Sequence, residues 1–549
     1  MFKKQYLDTL DAALAYAARH TDRDGRMVVN GEIDTKDSGW LVLGGTVRGI
    51  GVGWQLSEFD LKELCRKWCL ASVRVDDKRS AWTTFAILLC FEFAGGEFAK
   101  IFSSGELAEI RNFINQIDMR FLLEASRNYR VAAAVIDILR VRHKFTDAPA
   151  VDPEECIDYM LAGYLGCGFF NDDDGRGDRN DRRTDAYSAE IIGLLLHYDE
   201  IMGWNSQHHD RIFEILRDFC AENIYLIGQN GEYAKWGRSL RGEAEVKKIF
   251  LWELASRYGF SEYAEPASRR QFEFFLKHGI APDGKIGRDK AFDNGIWDEY
   301  TTCVQAQGYG IYGLAMAYRF ASDKNGNTVL PSDERDYVRY LPGADIICGN
   351  DSSTGVNYIV PAGNRLTKNM FFWHNRITGE NDVEVDVSAK FMPVPYFGVS
   401  VPAPYSGPTL PFLPMLKQAD GTVLVPRNLD VARSVCGNKV IQKFNYCFPA
   451  SYQVETDCSV VSTIKCFANR LEFLFEFDRA IPQGVEALVH IFKCTDERVD
   501  MQSCFSTPPV SLAEQVCESS IYCKHTVADR FCFAGVSRIE FSLEWKCKA

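Results

Sequence analysis

The chain lacks the short motifs of several common enzyme classes. It has no GxxxxGK[ST] phosphate loop, no GxGxxG opening a βαβ unit, no GxSxG nucleophile turn and no HExxH zinc helix. Each of these motifs builds a particular site, such as a phosphate cradle or an exposed nucleophile. Their absence argues against phosphoryl transfer, dinucleotide chemistry, serine hydrolysis and zinc proteolysis. Histidine is also scarce, with nine residues in 549.

Cysteine is plentiful, but the spacing of a metal site is missing. None of the 18 cysteines forms a CxxC pair, and several stand inside apolar runs, as Cys90 does in AILLCFEF. A zinc site needs thiolates and imidazoles grouped together. We therefore predict free and mostly buried thiols in a reducing compartment, with no cofactor and no metal.

Long apolar runs and a positive net charge are missing as well. No stretch approaches the roughly 20 apolar residues of a membrane helix. The N-terminal MFKKQYLDTLDAALAYAARH lacks the apolar core of a signal peptide, which predicts a cytoplasmic protein unless a leader has been removed. With 62 Lys and Arg against 75 Asp and Glu, the formal net charge of −13 argues against a nucleic-acid partner.

Proline is rare in the first part of the chain, where four of the 19 prolines precede residue 331. Because proline breaks helix interiors, this part can be helical and the rest mostly cannot. Apolar residues recur with helical spacing in twelve segments. These segments lie near 4–20, 58–74, 80–95, 104–117, 119–126, 128–144, 153–164, 185–202, 207–224, 241–258, 262–278 and 302–321.

The helical pattern of the first part and the strand pattern of the second part predict an α+β multidomain protein. Paired helices over 1–340 predict an (α/α) toroid of about six helix pairs. The alternative is a helical solenoid, but the sequence has no repeat of fixed period to support it. From about residue 345, runs such as RLEFLFEF alternate apolar and polar residues with the period of strands. We therefore predict an antiparallel β-sandwich over 341–549.

The densest candidate site is GFFNDDDGRGDRNDRRTDAYSAEIIGLLLHY, residues 168–198. Six aspartates and four arginines, Arg183 among them, fall within 172–185, directly before a predicted helix. Helix N-termini attract anions, and arginine binds carboxylates through paired hydrogen bonds. The segment therefore suits an acidic sugar or catalytic carboxylates. The alternative is a solvated charged loop, and calcium at 172–178 stays open although the loop lacks a closing glutamate.

Three residues at the start of this predicted helix are candidates for catalysis. Asp185 begins the helix, and Tyr187 and Glu190 follow three residues apart on one helix face. A phenol beside a carboxyl can transfer protons. The alternative is a core tyrosine and a surface glutamate.

Two further segments combine aromatic and charged residues that suit sugar binding. In the first segment, Glu232 follows a turn. Trp236 can stack on a sugar ring, and the Arg238 guanidinium can bind a carboxylate through two hydrogen bonds. Later in the chain, Trp297 and Glu299 precede the last predicted helix. Ordinary loops around a buried tryptophan or a helix entrance are the alternatives.

Three more polar residues belong to the candidate set. Asn128 and Arg130 start a strongly apolar helix, where they either cap the helix or face a cleft. His374 lies at the first predicted strand of the second half, from which it can reach an interdomain cleft.

Together these segments resemble a bacterial family of unknown function that is similar to heparinase II/III-type lyases and glucuronic-acid-releasing glycoside hydrolases. The resemblance rests on Asn128-Tyr129-Arg130, the acidic loop leading to Asp185-x-Tyr187, GRSL at 237–240 and the aromatic-glycine pattern at 309–313. It implies an (α/α) toroid followed by a β-sandwich, with substrate in the central cleft. The chain departs from the pattern near Gly193 and at Tyr129, where histidines are expected, and this argues against a histidine-based elimination.

The first hypothesis is hydrolysis of a uronic-acid-containing saccharide by a pair of carboxyl groups. The candidate carboxyl groups are Asp185, Glu190, Glu232 and Glu299. Arg183 and Arg238 would bind the uronate carboxylate, while Trp236 and Tyr187 shape the subsite.

Two other hypotheses stay open. In a polysaccharide lyase, Asn128 and an arginine would acidify the C5 proton, with Tyr187 as base and His374 as helper. The third is a non-catalytic glycan-binding protein. Abundant carboxyls and scarce histidine favour hydrolysis. The predicted partner is an acidic oligosaccharide or polysaccharide, not nucleic acid or a membrane, and a homo-oligomer is left open.

Overall fold

A computed structural model of the protein describes residues 2–29, 31–33, 38–74, 81–124, 127–171, 185–231, 233, 242–286, 303–321, 326–361, 375–378, 385–386, 399–400, 413–427, 433–447, 454–492, 499–519 and 526–548. Within these ranges, helices dominate the chain up to residue 334 and strands dominate it from residue 337. The protein is therefore mixed helix and sheet, as the sequence predicts.

All twelve helices predicted from the apolar periodicity are present, with small shifts at their ends. The helices are α1 Phe2–Arg19, α2 Gly39–Val52, α3 Leu61–Val73, α4 Ala81–Ala94, α5 Gly96–Ala99, α6 Ser104–Asn115, α7 Met119–Glu124, α8 Arg127–Arg142, α9 Pro153–Leu161, α10 Asp185–Ile201, α11 His209–Asn223, α12 Gly242–Tyr258, α13 Ala264–His278, α14 Cys303–Phe320 and α15 Pro331–Glu334. A 3₁₀ turn, Ile224–Leu226, follows α11.

Several helix starts follow directly from the local sequence. The Asp152 carboxylate accepts hydrogen bonds from two backbone N–H groups of α9, and Pro153 occupies the first turn. Ser103 and Glu106 form a reciprocal capping box at the start of α6. Such caps satisfy N–H groups that have no partner inside the helix.

Six of the helices pack side by side in a closed ring. Helix α2 contacts α4, α4 contacts α8, α8 contacts α10, α10 contacts α12, α12 contacts α14, and α14 returns to α2. Most of the other helices pack against ring members: α1 against α14 and α2, α3 against α2, α7 and α9 against α8, α11 against α10 and α12, and α13 against α12. Helix α6 packs against α3. Helix α4 is accordingly buried along Ala81–Phe91.

The sequence pattern does not predict helix α2, because five of its fourteen residues are glycine, a poor helix former. The structure shows what these glycines allow. A Cβ atom on Gly44 would lie 2.2 Å from Cγ2 of Ile311 on α14, and one on Gly45 would lie 2.5 Å from Sγ of Cys65 on α3. Close packing between helices therefore outweighs the low intrinsic propensity.

The described strands are β1 Val28–Val29, β2 Glu32–Ile33, β3 Gln55–Leu56, β4 Phe59–Asp60, β5 Tyr164–Gly166, β6 Phe169–Phe170, β7 Tyr337–Leu341, β8 Ile346–Asp351, β9 Val356–Pro361, β10 Asn375–Thr378, β11 Val385–Asp386, β12 Val399–Ser400, β13 Met415–Lys417, β14 Val423–Arg427, β15 Arg433–Cys436, β16 Lys439–Cys447, β17 Val454–Phe467, β18 Arg470–Phe477, β19 Glu486–Phe492, β20 Val499–Phe505, β21 Ser511–Ser519, β22 Thr526–Phe533 and β23 Arg538–Cys547. The first six form three two-stranded ribbons in the helical part.

The later strands form two sheets, and every pairing among them is antiparallel, as predicted. A four-stranded sheet has the order β12-β9-β8-β7. A thirteen-stranded sheet has the order β11-β10-β21-β22-β19-β13-β14-β16-β17-β18-β23-β20, with β15 paired to β16. In β18, Leu471 and its alternate neighbours are buried while the residues between them are more exposed, which is the pattern that RLEFLFEF predicts.

The four-stranded sheet is shared between two hydrophobic cores. Ile346 belongs to the core of the helical part, whereas its neighbour Ile347 belongs to the core of the large sheet. The Tyr358 hydroxyl donates a 2.9 Å hydrogen bond to the Phe467 carbonyl in the large sheet. Strand β7 begins before residue 341, so the predicted boundary falls inside a strand.

The thirteen cysteines whose side chains the structure describes are all free. Nine of them are buried, in agreement with the prediction. Burial raises the pKa of the Cys65 thiol to about 12. Such thiols act as small apolar side chains.

Candidate functional site

A circuit of polar and aromatic side chains forms where the N-terminal ends of the six ring helices meet. Each helix contributes one residue from its first two turns. They are Trp40 of α2, Trp82 of α4, Asn128 of α8, Glu190 of α10, Lys247 of α12 and Tyr309 of α14. Because the six residues come from distant parts of the chain, only the closed ring brings them together.

The polar half of the circuit centres on the Glu190 carboxylate. Nδ2 of Asn128 donates a 2.8 Å hydrogen bond to one carboxylate oxygen, and Nζ of Lys247 lies 2.6 Å from the other. All three residues are buried or half-buried. Hydrogen bonds that involve charged groups are shorter and stronger than neutral ones, so both donors fix the carboxylate in place.

The aromatic half closes the circuit from Lys247 back to Asn128. The Lys247 ammonium lies 4.2 Å from the centroid of the Tyr309 ring, which lies 5.9 Å from the Trp40 ring. Trp40 stacks on Trp82 at 6.4 Å, and Trp82 lies 5.1 Å from Tyr129, the neighbour of Asn128. Aromatic faces of this kind can pack against the apolar face of a sugar ring.

A buried polar chain lies one helical turn below Tyr309. The Tyr312 ring packs 4.5 Å from Trp40, and its hydroxyl lies 2.9 Å from Nε2 of His197. Nδ1 of His197 faces the Glu200 carboxylate at 3.6 Å, and Glu200 also binds Arg319. This chain supports the aromatic wall from inside the ring.

Two pKa shifts follow from this chain. Burial, followed by the charges of Glu190 and Glu200, raises the pKa of Tyr312 well above its usual value, so its phenol stays neutral. Burial opposes ionisation of Glu200, but its contacts with His197 and Arg319 outweigh that effect and lower its pKa. The inside of the ring therefore keeps an ionised carboxylate beside a neutral phenol.

The structure brings two predicted site residues together and places a third elsewhere. Asn128 and Glu190 are hydrogen-bonded across the ring. The Arg130 guanidinium instead lies 3.8 Å from the centroid of the Tyr159 ring on α9. Asp185 and Tyr187 are in the first turn of α10, but their side chains lie outside the described residues.

The remaining candidates lie outside the described residues. They are Arg183, Glu232, Trp236, Arg238, Trp297, Glu299 and His374. Their predicted roles stay predictions. In the sequence, all of these residues except His374 fall in segments that precede α10, α12 or α14, which are ring helices.

Sequence reasoning missed Lys247, Trp40 and Trp82. The signal for Lys247 is a lysine pair that interrupts the apolar side of EVKKIFLWEL. Trp40 and Trp82 each follow directly after a helix start, which is also the position of Asn128 on α8. That shared position becomes informative only when the ring is known.

The described residues contain neither a membrane-spanning helix nor a cluster of metal ligands. No helix among them is long and apolar enough to cross a membrane. No group of three or more His, Cys, Asp or Glu side chains in the described ranges is arranged to hold a metal ion.

No family model matches the chain, and no curated protein matches it either. Among solved structures, the chondroitin AC lyase of Streptomyces coelicolor A3 in complex with chondroitin sulphate is similar over 99% of this chain and 79% of that chain, with 8% identity and a TM-score of 0.53. A sugar epimerase from a ruminal bacterium is 10% identical over 59% of this chain and 100% of its own, with a TM-score of 0.45. A possible GH105 family member from Salmonella enterica is 10% identical, with a TM-score of 0.41. The match covers 58% of this chain and 94% of that chain. The match to chondroitin AC lyase shows that this chain and that lyase share a fold.

Proposed function

We propose that this protein is an enzyme that cleaves a glycosidic bond in a uronic-acid-containing oligosaccharide or polysaccharide. The observation that carries the proposal is the Glu190 carboxylate, fixed by Asn128 and Lys247 beside an arc of aromatic rings. Aromatic faces suit sugar rings, and a fixed carboxylate can take part in proton transfer or attack the anomeric carbon. The fold shared with a lyase that binds chondroitin sulphate supports the same substrate class.

The proposed architecture is an (α/α) toroid followed by an antiparallel β-sandwich. The closed ring of six helices, with further helices packed against its members, supports the toroid. The substrate cleft would lie at the N-terminal ends of the ring helices, because the circuit of site residues is found there.

Hydrolysis by two carboxyl groups is the favoured reaction. Glu190 accepts hydrogen bonds from two donors, which suits a carboxylate that activates water or attacks directly. The proton donor to the leaving group would then come from Asp185, Glu232, Glu299 or a combination of these candidates. Arg183 and Arg238, which lie outside the described residues, remain proposed ligands of the uronate carboxylate.

Elimination is the second candidate, and one observation favours it. The similarity to chondroitin AC lyase extends over 99% of this chain. In this route Tyr187, as a phenolate, would remove the C5 proton. The C4=C5 double bond would form as the C4–O bond breaks, and the leaving oxygen would take the proton back from Tyr187.

A cleavage assay on a panel of uronate oligosaccharides tests the proposal. New reducing ends without ultraviolet absorbance from an unsaturated uronate would support hydrolysis. The same reducing ends with that absorbance would establish elimination and exclude hydrolysis. Binding without cleavage would instead favour a glycan-binding protein, and neither binding nor cleavage across the panel would contradict the proposal.

A further inference from the structure

We infer that Lys247 recognises the carboxylate of the sugar and that Glu190 competes with the sugar for it. This inference rests on the proposed function and names the residue that makes the site selective for acidic sugars. It differs from the sequence prediction, which assigns uronate binding to Arg183 and Arg238.

The first step of the argument is the burial of the Lys247 ammonium. The Lys247 side chain is 10% exposed, and within the described residues Glu190 is its one ion-paired carboxylate. The ammonium also lies 4.2 Å from the centroid of the Tyr309 ring. A cation in such a place interacts strongly with an anion, because little water screens it.

The second step concerns the hydrogen bonds that Lys247 can make. An ammonium group carries three N–H donors and no acceptor. Among the described residues, one donor serves Glu190 and one side of the group faces an aromatic ring, which leaves capacity for an oxygen of an incoming carboxylate. Lysine binds anions as a compact point charge, so it can hold two carboxylates at once.

The third step is the electrostatic effect of Glu190 on a bound uronate. Glu190 shares the cation with the sugar carboxylate and also repels it, since both are negative at this short range. Loss of the Glu190 charge should therefore strengthen the binding of an acidic sugar. Loss of the Lys247 charge should weaken it, so two adjacent variants are expected to act in opposite directions.

Calorimetric titration with trigalacturonate and a chondroitin tetrasaccharide tests this inference. The matched neutral ligands are the methyl esters of the same saccharides, which keep the sugar rings and remove the charge. For Lys247→Gln, we expect roughly tenfold weaker binding of the acids or more, and a smaller change in the binding of the esters. For Glu190→Gln, we expect tighter binding of the acids and a higher ratio of acid affinity to ester affinity.

The matched control variant is Lys62→Gln. Lys62 also lies over an aromatic ring, with Nζ 5.8 Å from the Trp54 centroid, but it is exposed on α3 away from the circuit. Its binding constants should equal those of the wild type. Lys247→Arg keeps the charge and should keep the preference for acids over esters.

The outcomes separate this inference from the proposed function. If the wild type neither binds nor cleaves any uronate oligosaccharide of the panel, these two acids included, the proposed function is contradicted and the inference with it. If the wild type prefers acids and Lys247→Gln keeps that preference, the inference alone is overturned. Should Lys247→Gln not fold, Glu190→Gln decides, because unchanged or weaker binding of the acids there contradicts the competition.

Discussion

At the residue scale, the site depends on a single carboxylate with two donors. Glu190 lies between Asn128 and Lys247, and a glutamine at this position keeps the shape but loses the charge. We expect Glu190→Gln to lower the cleavage rate by about 10²-fold or more, as is usual for loss of a proton-transferring group. Steady-state kinetics on the substrate found by the panel measures the effect.

A similar glutamate elsewhere serves as the control for this prediction. Glu222 on α11 is 20% exposed in its side chain, close to the 16% of Glu190, and it pairs with Arg339. Glu222→Gln should leave the rate within about twofold, since Glu222 pairs with Arg339 on β7 and is not part of the circuit. Equal losses in the two variants would mean that the effect comes from folding and not from the site.

The buried Glu200 gives a prediction for the pH dependence of stability. Its pKa is lowered from the usual 4.5, so its contribution to stability is present above that value and is lost as the pH falls through the lower pKa of the folded state. Glu200→Gln should therefore destabilise the protein by about 1–3 kcal/mol at neutral pH, because the half-buried Arg319 loses its charged partner. Denaturant unfolding of both proteins at pH 7 and pH 3.5 would show the difference shrinking in acid, and a constant difference would contradict the assignment.

At the element scale, helix α2 depends on close packing against its neighbours. A Cβ on Gly44 would meet Cγ2 of Ile311 at 2.2 Å, so Gly44→Ala should cost roughly 1–3 kcal/mol of stability despite the better helix propensity of alanine. Gly105 on α6 is the control, because a Cβ there meets nothing within 4 Å. Gly105→Ala should be neutral or stabilising by up to about 1 kcal/mol, and equal unfolding midpoints for the two variants would disprove the packing argument.

The same packing explains how far the sequence predicts the fold and the site. Apolar periodicity depends on neighbours along one helix, so it predicts α8, α10 and α14, but it misses α2, where glycines serve contacts with other helices. Asn128 and Glu190 could be proposed as polar residues near helix starts. Their hydrogen bond could not, because it joins residues 62 positions apart. Lys247 shows the same limit, since only the ring places it beside Glu190.

At the scale of the whole molecule, one small sheet joins the two halves. Arg339 on β7 donates two 3.0 Å hydrogen bonds to Glu222 on α11, and Arg270 on α13 pairs with Asp333 on α15. On the other face, Tyr358 contacts Trp545 of the large sheet, with ring centroids 5.7 Å apart. Apolar contacts on both faces tie the sheet to both cores, so neither core is complete without it.

Neighbouring residues on β8 test whether the halves unfold together. Ile346 and Ile347 are both fully buried but point to opposite faces, one into each core. Each isoleucine-to-alanine variant should cost about 2–5 kcal/mol, the usual loss for a large apolar side chain removed from a core. Because the sheet belongs to both cores, we expect one calorimetric transition that both variants shift to lower temperature. Two transitions, with Ile346→Ala moving only one and Ile347→Ala only the other, would mean that the halves are energetically independent and that the strand is a passive connection.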